Sequence, residues 1–386
     1  MEDLRVALFA GNYNYMRDGA SLTLNRLVDY LERQNIEVLI FAPEGKKPAF
    51  KHNGKLIGTP SIPMLIPGRD EYRISTSFPN FAKEKLEEFN PNLIHVATPD
   101  ILNSGAIKWA QENRVQLVGS YHTHFTSYFN YYGLNPIEFL IWQFIKWFYG
   151  QCTHVYVPSR SMIEELEEQG ITKGLKVWAR GVNTELFSPA KRDMEFRRSI
   201  GIEDDEIVVT FVSRLVWEKE LRTYVESLKR VQAKNPKIRA LIVGAGQAQK
   251  EVEEMLPNAH FTGFVTGEEL ARAYASSDLF LFPSHTETFG NVTLEAMASG
   301  LPCLVADAIG SKSLVNDGVN GKWAKKQDVK DFTEKLEWLI SDENRLKKMG
   351  DKSREMAVEY EWDKINAGLV ENYREAMELP KPQLKF

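Results

Sequence analysis

The chain has 386 residues, 43% of them hydrophobic and 26% charged, with a formal net charge of −5. That length exceeds one ordinary core and calls for two domains, while the acid excess lies wholly in the second half and excludes the concentrated basic face that nucleic-acid binding needs. No run approaches the roughly 18 uninterrupted apolar residues of a membrane span, and the acidic start MEDLRVALFAG is unlike a secretion signal.

In chain order, short apolar runs alternate with helical patterns. RVALFAG (5–11) reads as a buried strand, and 21–35 as a helix with Leu24, Leu27, Val28 and Leu31 on one face. Strands follow at 37–43, 92–99, 115–123 and 153–159, with a helix around 101–113. Cys152, like Cys303 later, sits in apolar sequence as a small core residue, so a reducing cytoplasm is expected. A polar segment, 183–206, separates this series from a second one. There, strands at 206–215, 238–246, 260–265, 278–284 and 301–307 alternate with helices near 220–234, 247–256, 267–276 and 292–299. Such alternation predicts an α/β chain of two doubly wound domains, 1–183 and 184–362. The amphipathic stretch 361–378 is expected to cross back and brace the first domain, the C-terminal segment being bounded at 363–386. Ligands of tandem sheets of this kind are expected in the cleft at the carboxyl ends of their strands.

One loop is placed for that purpose. SHTETFGNVTLEAMASG (284–300) runs from the end of a strand into a helix closed by Gly300, and carries Glu287 and Glu295 with seven residues between them. Gly290 lets the backbone approach a ligand, and the N–H groups of residues 289–292 at the helix start suit a phosphate. The two carboxylates can then hold hydroxyls on either side of a diphosphate, which describes a nucleotide sugar. Taken singly, Glu295 would only complement the helix dipole and Glu287 would be a solvated loop residue; the loop position and the glycine favour the ligand.

The pattern Glu287-(seven residues)-Glu295 followed by SGLPCLVAD resembles the hallmark of retaining glycosyltransferases of family 4, which have the GT-B fold of two Rossmann-like domains. VSRLVWEK (212–219), LIVGAGQ, FTGFVTGEELARAYASSDLFLFPS, SYHTHFTSYFNYYGL and VPSRSM…WARGVNTELFSP extend the likeness over nearly the whole chain. They are similar to the branch with sulfolipid and glycolipid synthases and GDP-mannose-dependent mannosyltransferases. The resemblance implies that Arg214 and Lys219 hold the donor diphosphate and that Glu295 binds the ribose, with backbone near Val265 facing the base. It implies that Glu287 binds the transferred sugar, helped by the amides of Phe289, Gly290, Asn291 and Val292. Gly19 would approach the diphosphate from the first domain, and His122 would lie near the donor sugar. Tyr72, Arg73 and Tyr128 fall on the acceptor side. The family usually has glycine where this chain has Glu220 and Ala20.

Such enzymes transfer by front-face attack, with the acceptor proton passing to the departing phosphate. No Asp-x-Asp occurs, so neither a metal nor another cofactor is expected. A UDP-sugar is the first expectation for the donor and GDP-mannose the second. The aromatic stretch 125–150, with Trp142 and Trp147, reads either as a core helix or as a bilayer contact, and the basic stretch 44–55 could touch anionic headgroups. A lipid or lipid-linked acceptor with peripheral membrane association on the inner face of the cytoplasmic membrane follows as an expectation. Soluble saccharide acceptors, a same-fold epimerase or phosphorylase, and a non-catalytic sugar-nucleotide binder are the alternatives. A dehydrogenase is disfavoured, because GAGQAQ (244–249) has Gln249 where the dinucleotide fingerprint needs its third glycine.

Overall fold

The computed structural model describes residues 3–16, 18–44, 47–63, 73–122, 138–287 and 289–382. The chain divides into two compact units, Met1–Ala179 with Ile365–Phe386, and Arg180–Lys364.

Among the described residues, the first unit holds a seven-stranded, all-parallel sheet. Its spatial order is Lys55–Thr59, Glu37–Pro43, Arg5–Phe9, Leu93–Val96, Gln116–Ser120, His154–Val157, Leu175–Val177. The chain moves outward from the strand Arg5–Phe9, then returns to its other side at Leu93–Val96, so the winding reverses between those two. Their inner residues are almost wholly buried because helices cover both faces. Helix Gly19–Arg33 starts at Asp18, which accepts from Ser21 N at 2.7 Å, while Ser21 Oγ accepts from Asp18 N, a reciprocal cap. A small antiparallel pair, Ser61–Pro63 with Arg73–Ser75, lies apart from the main sheet.

The helix Trp362–Glu378 buries Leu369, Val370, Tyr373 and Ala376, a spacing that keeps one face inward. These side chains join the core around Leu8, Leu24, Leu27, Leu93 and Trp178, so the end of the chain completes the first unit's core. Each fully buried aliphatic among them contributes about 1.5–3 kcal/mol relative to exposure. Gln116 Nε2 donates to the Ala376 and Leu379 carbonyls at that helix's end.

The second unit repeats the design with a six-stranded parallel sheet. Its order is His260–Gly263, Ile238–Val243, Ile207–Val212, Leu279–Phe282, Cys303–Ala306, Gly321–Ala324. Here the winding reverses between Ile207–Val212 and Leu279–Phe282. Buried Arg197 fastens the entry helix Met194–Ser199 to this sheet through Asp278 Oδ2 at 2.9 Å, and the same oxygen accepts from Val208 N. Two doubly wound sheets are what the alternating pattern predicted. Both cysteines are free and buried.

Candidate functional site

Two loops leave the carboxyl edge of the second sheet on either side of its reversal, one after Val212 and one after Phe282. The first is seated on the glycines of GAG. A Cβ on Gly244 would collide with the Ser213 carbonyl, and one on Gly246 with the Leu215 carbonyl. That sequence is therefore a support for residues 213–215.

The same loop ends in the 3-10 turn Trp217–Lys219, after which Glu220 takes a left-handed conformation with φ +58°. Glycine adopts this backbone freely, whereas another residue there costs roughly 1–2 kcal/mol. The Glu220 carboxylate offsets the strain by accepting from Gln327 Nε2 at 2.8 Å and Thr223 Oγ1 at 3.1 Å, with His285 Nδ1 3.5 Å away. A glutamate in place of the family's glycine thus keeps the turn that presents Lys219.

Lys219 Nζ lies 2.5 Å from Glu287 Oε1, with the two side chains 14% and 22% exposed. Ser284 Oγ donates to the same oxygen at 3.2 Å. Gly310, from the helix Ile309–Lys312, packs so closely that a Cβ would strike the Glu287 carbonyl and stand 2.9 Å from the Glu287 Cβ. Beyond Glu287, Gly290 caps the helix Asn291–Ala298 at φ +97°, with no side-chain cap and no acid in the first turn. Its leading N–H groups and the positive end of the helix dipole are left to an anion. Thr293 Oγ1 in that first turn is buried and has no hydrogen-bond partner among the described residues. Phe289 is buried against Tyr360, their ring centroids 6.0 Å apart.

One turn on, Glu295 Oε2 lies 3.2 Å from Tyr274 Oη, which also reaches the Val292 carbonyl at 3.1 Å. Burial, and then the neighbouring carboxylate, hold the Tyr274 hydroxyl protonated. Lys219, Ser284, Glu287 and Gly310 therefore form one group, and Tyr274, Val292 and Glu295 another on the adjoining helix. Arg214 joins neither: its guanidinium pairs with Glu218 at 3.0 Å and its side chain is 60% exposed. Val265 is half-buried and Asn291 exposed. Ser284, Thr293, Tyr274 and Gly310 escaped sequence reasoning. For Gly310 the only signal is a glycine in an otherwise helical run.

In the first unit, Gly19 is the exposed first residue of its helix. Arg73 donates to Ser61 Oγ at 2.8 Å and to the Ser61 carbonyl at 3.0 Å, so its guanidinium ties the small strand pair together. His122 Nε2 is 2.7 Å from Ser120 Oγ. Tyr72 and Tyr128 lie outside the described residues. Helix Glu138–Tyr149 buries Trp142, Ile145, Phe148 and Tyr149 and exposes Phe139, Leu140, Phe144 and Trp147, so it is both a core helix and an apolar surface. Among the described residues, no helix is long and apolar enough to cross a membrane, and no group of three or more His, Cys, Asp or Glu is disposed to hold a metal ion.

Comparison with known proteins gives matches over both units. The family described as "Glycosyltransferase Family 4" matches residues 17–186, and "Glycosyl transferases group 1" matches 193–356. A GDP-mannose-dependent alpha-mannosyltransferase of Corynebacterium glutamicum is 32% identical over 97% of this chain and 90% of its own. Sulfoquinovosyl transferase SQD2 of Arabidopsis thaliana is 31% identical over 93% of this chain and 71% of its own. An alpha-monoglucosyldiacylglycerol synthase of Streptococcus pneumoniae is 24% identical over 82% and 74%. Among solved structures, a sucrose-phosphate synthase from Thermosynechococcus elongatus superposes with a TM-score of 0.77 at 20% identity, over 96% of this chain and 98% of that one. The likeness confirms the GT-B fold.

Proposed function

Because the chain belongs to the family 4, group 1 glycosyltransferases and is a hexosyltransferase, we propose that it moves a hexose from a nucleoside diphosphate to a lipid or lipid-linked acceptor, with retention of anomeric configuration and without a metal. The observation that carries this reading is the Lys219–Glu287 contact at the sheet's reversal, beside a helix start with no side-chain cap. In this pair the ammonium and carboxylate neutralise each other. On donor binding, the diphosphate takes over Lys219 and the helix N–H groups, while Glu287 turns to hydroxyls of the transferred sugar. A fixed cation and aligned backbone dipoles then face the oxygen on which charge develops as the glycosidic bond breaks. Glu295, steadied by Tyr274, holds the ribose, and backbone near Val265 faces the base. Arg214 exchanges Glu218 for the diphosphate, a surface pair that costs little to part.

His122 and Gly19 are assigned to the donor by resemblance alone, and Tyr72, Arg73 and Tyr128 to the acceptor in the same way. Among donors GDP-mannose takes first place, ahead of a UDP-sugar, since the mannosyltransferase relative spans nearly the whole chain. The sulfoquinovosyl and glucosyldiacylglycerol relatives support a lipid acceptor. So does the apolar face of helix Glu138–Tyr149, which suits peripheral contact with the inner face of the cytoplasmic membrane.

The test is a pair of variants assayed with GDP-mannose and UDP-glucose on a membrane lipid extract. Lys219→Ala and Glu287→Gln are each expected to lower kcat/KM by about 100-fold or more, the usual loss when a group stabilising transition-state charge is removed. Transfer at wild-type rates by both variants would remove the basis of the reading.

A further inference from the structure

In the first unit a line of hydrogen bonds runs from the C-terminal helix to His122. Tyr373 Oη is 2.6 Å from His95 Nδ1, His95 Nε2 is 2.7 Å from Ser120 Oγ, and Ser120 Oγ is 2.7 Å from His122 Nε2. The placement follows from the sheet. Gln116, Val118 and Ser120 lie on one face of the strand Gln116–Ser120, His122 follows two residues beyond Ser120, and His95 pairs with Val118 on the neighbouring strand. Tyr373, His95 and Ser120 are fully buried, so bulk solvent does not compete for these hydrogen bonds. The edge of Trp178 or the faces it meets flank both imidazoles, with centroids 6.0 Å from His95 and 5.6 Å from His122.

We propose that Tyr373, His95 and Ser120 are positioning residues that hold His122 as one neutral tautomer, with the proton on Nδ1 and Nε2 as acceptor. The direction of the line follows from donor accounting. The buried Tyr373 hydroxyl has His95 Nδ1 as its partner, so its hydrogen goes there. Burial pushes the His95 pKa down to about 3, so this ring is neutral and carries its single proton on Nε2, which donates to Ser120 Oγ. The Ser120 hydrogen is then directed to His122 Nε2. Reversing the line would leave the Tyr373 hydroxyl buried with no acceptor among the described residues, which carries the full desolvation cost of an unpaired donor. The tautomer imposed is the one a free histidine side chain populates less. The C-terminal helix therefore sets which nitrogen of His122 can donate, from the opposite end of a four-residue chain. For transfer, this inference rests on His122 serving the donor sugar; for the tautomer itself it does not.

The experiment is a two-bond proton–nitrogen correlation spectrum of the full chain with nitrogen-15 histidine, His122 being assigned from its loss in His122→Gln. The expected wild-type result is a proton-bearing Nδ1 and a bare Nε2. Tyr373→Phe removes the donor that sets the direction, and Ser120→Ala removes the last link, so each is expected to show His122 as a mixture of tautomers while still melting cooperatively. In the transfer assay Tyr373→Phe is expected to lower kcat about tenfold, on the order of one misdirected hydrogen bond to the donor sugar, with donor KM within about twofold. A wild-type His122 with its proton on Nε2, or an unchanged tautomer in both variants, overturns the proposal. Activity with the wrong tautomer sinks this proposal alone, whereas the expected tautomer in a protein that transfers no sugar upholds it and counts against the proposed function.

Discussion

Glu287 is held from three sides: Lys219 on one oxygen, Ser284 on the same oxygen, and Gly310 beneath its backbone. The last of these makes a prediction that separates placement from stability. Alanine is the better helix residue by about 0.8–1.0 kcal/mol. In Gly310→Ala, however, the new methyl must displace the Glu287 carbonyl, and a shift near 1 Å at a reacting centre can cost about 100-fold. We therefore expect kcat/KM to fall at least tenfold while the melting temperature moves by a few degrees at most; unchanged kinetics would show that Glu287 tolerates the shift. Glu287 was legible in the sequence because a carboxylate stood before a glycine and a helix start. Gly310 was not, since its contact joins a short helix to a loop more than twenty residues earlier. For Arg214 the sequence gives the place at a strand end, and the structure adds its pairing with Glu218 along its own turn.

At the scale of elements, the strands with buried runs of four to seven residues, such as Arg5–Phe9, Ile207–Val212 and Leu279–Phe282, were readable from their apolar character. The ones missed lie at or near sheet edges or in the small pair: Lys55–Thr59, Leu175–Val177, Gly321–Ala324, Ser61–Pro63 and Arg73–Ser75. They are short and only partly buried, so no apolar run announces them. Helix Arg160–Glu168 carried a signal in Ser159, whose Oγ accepts from Met162 N at 3.1 Å, but it lies within a stretch read for its resemblance. Helix Glu138–Tyr149 was ambiguous for a physical reason: apolar residues surround it, and one face is core while the other is not. Exposed Leu140 and Trp147 give the test. Wild-type protein should co-float with vesicles containing anionic phospholipid at low salt. Leu140→Gln with Trp147→Gln should reduce the bound fraction at least tenfold, because burying each such side chain is worth about 1.5–3 kcal/mol. Equal flotation of both proteins, or none of either, would exclude this face as the membrane contact.

For the molecule as a whole, two sheets wound alike carry different kinds of residue beyond the carboxyl ends of their strands. The second unit gathers a cation, carboxylates and a helix start in loops after Val212 and Phe282, while the first holds a neutral histidine at the end of a buried polar line. The sequence carried the doubly wound plan and the residues of the charged loops. It did not carry the line from Tyr373 to His122, whose ends are about 250 residues apart and whose logic lies in hydrogen directions. Nor does it choose the base, the sugar or the acceptor, since the residues that do so are scattered in space. The most direct measurement is the anomeric configuration of the product formed by the full chain from GDP-mannose and a membrane lipid extract in excess chelator, read from one-bond carbon–proton couplings and mass. The expected product is a mannolipid with the α-configuration of the donor. An inverted product, or transfer that appears only when a divalent metal is restored, would contradict metal-independent front-face transfer.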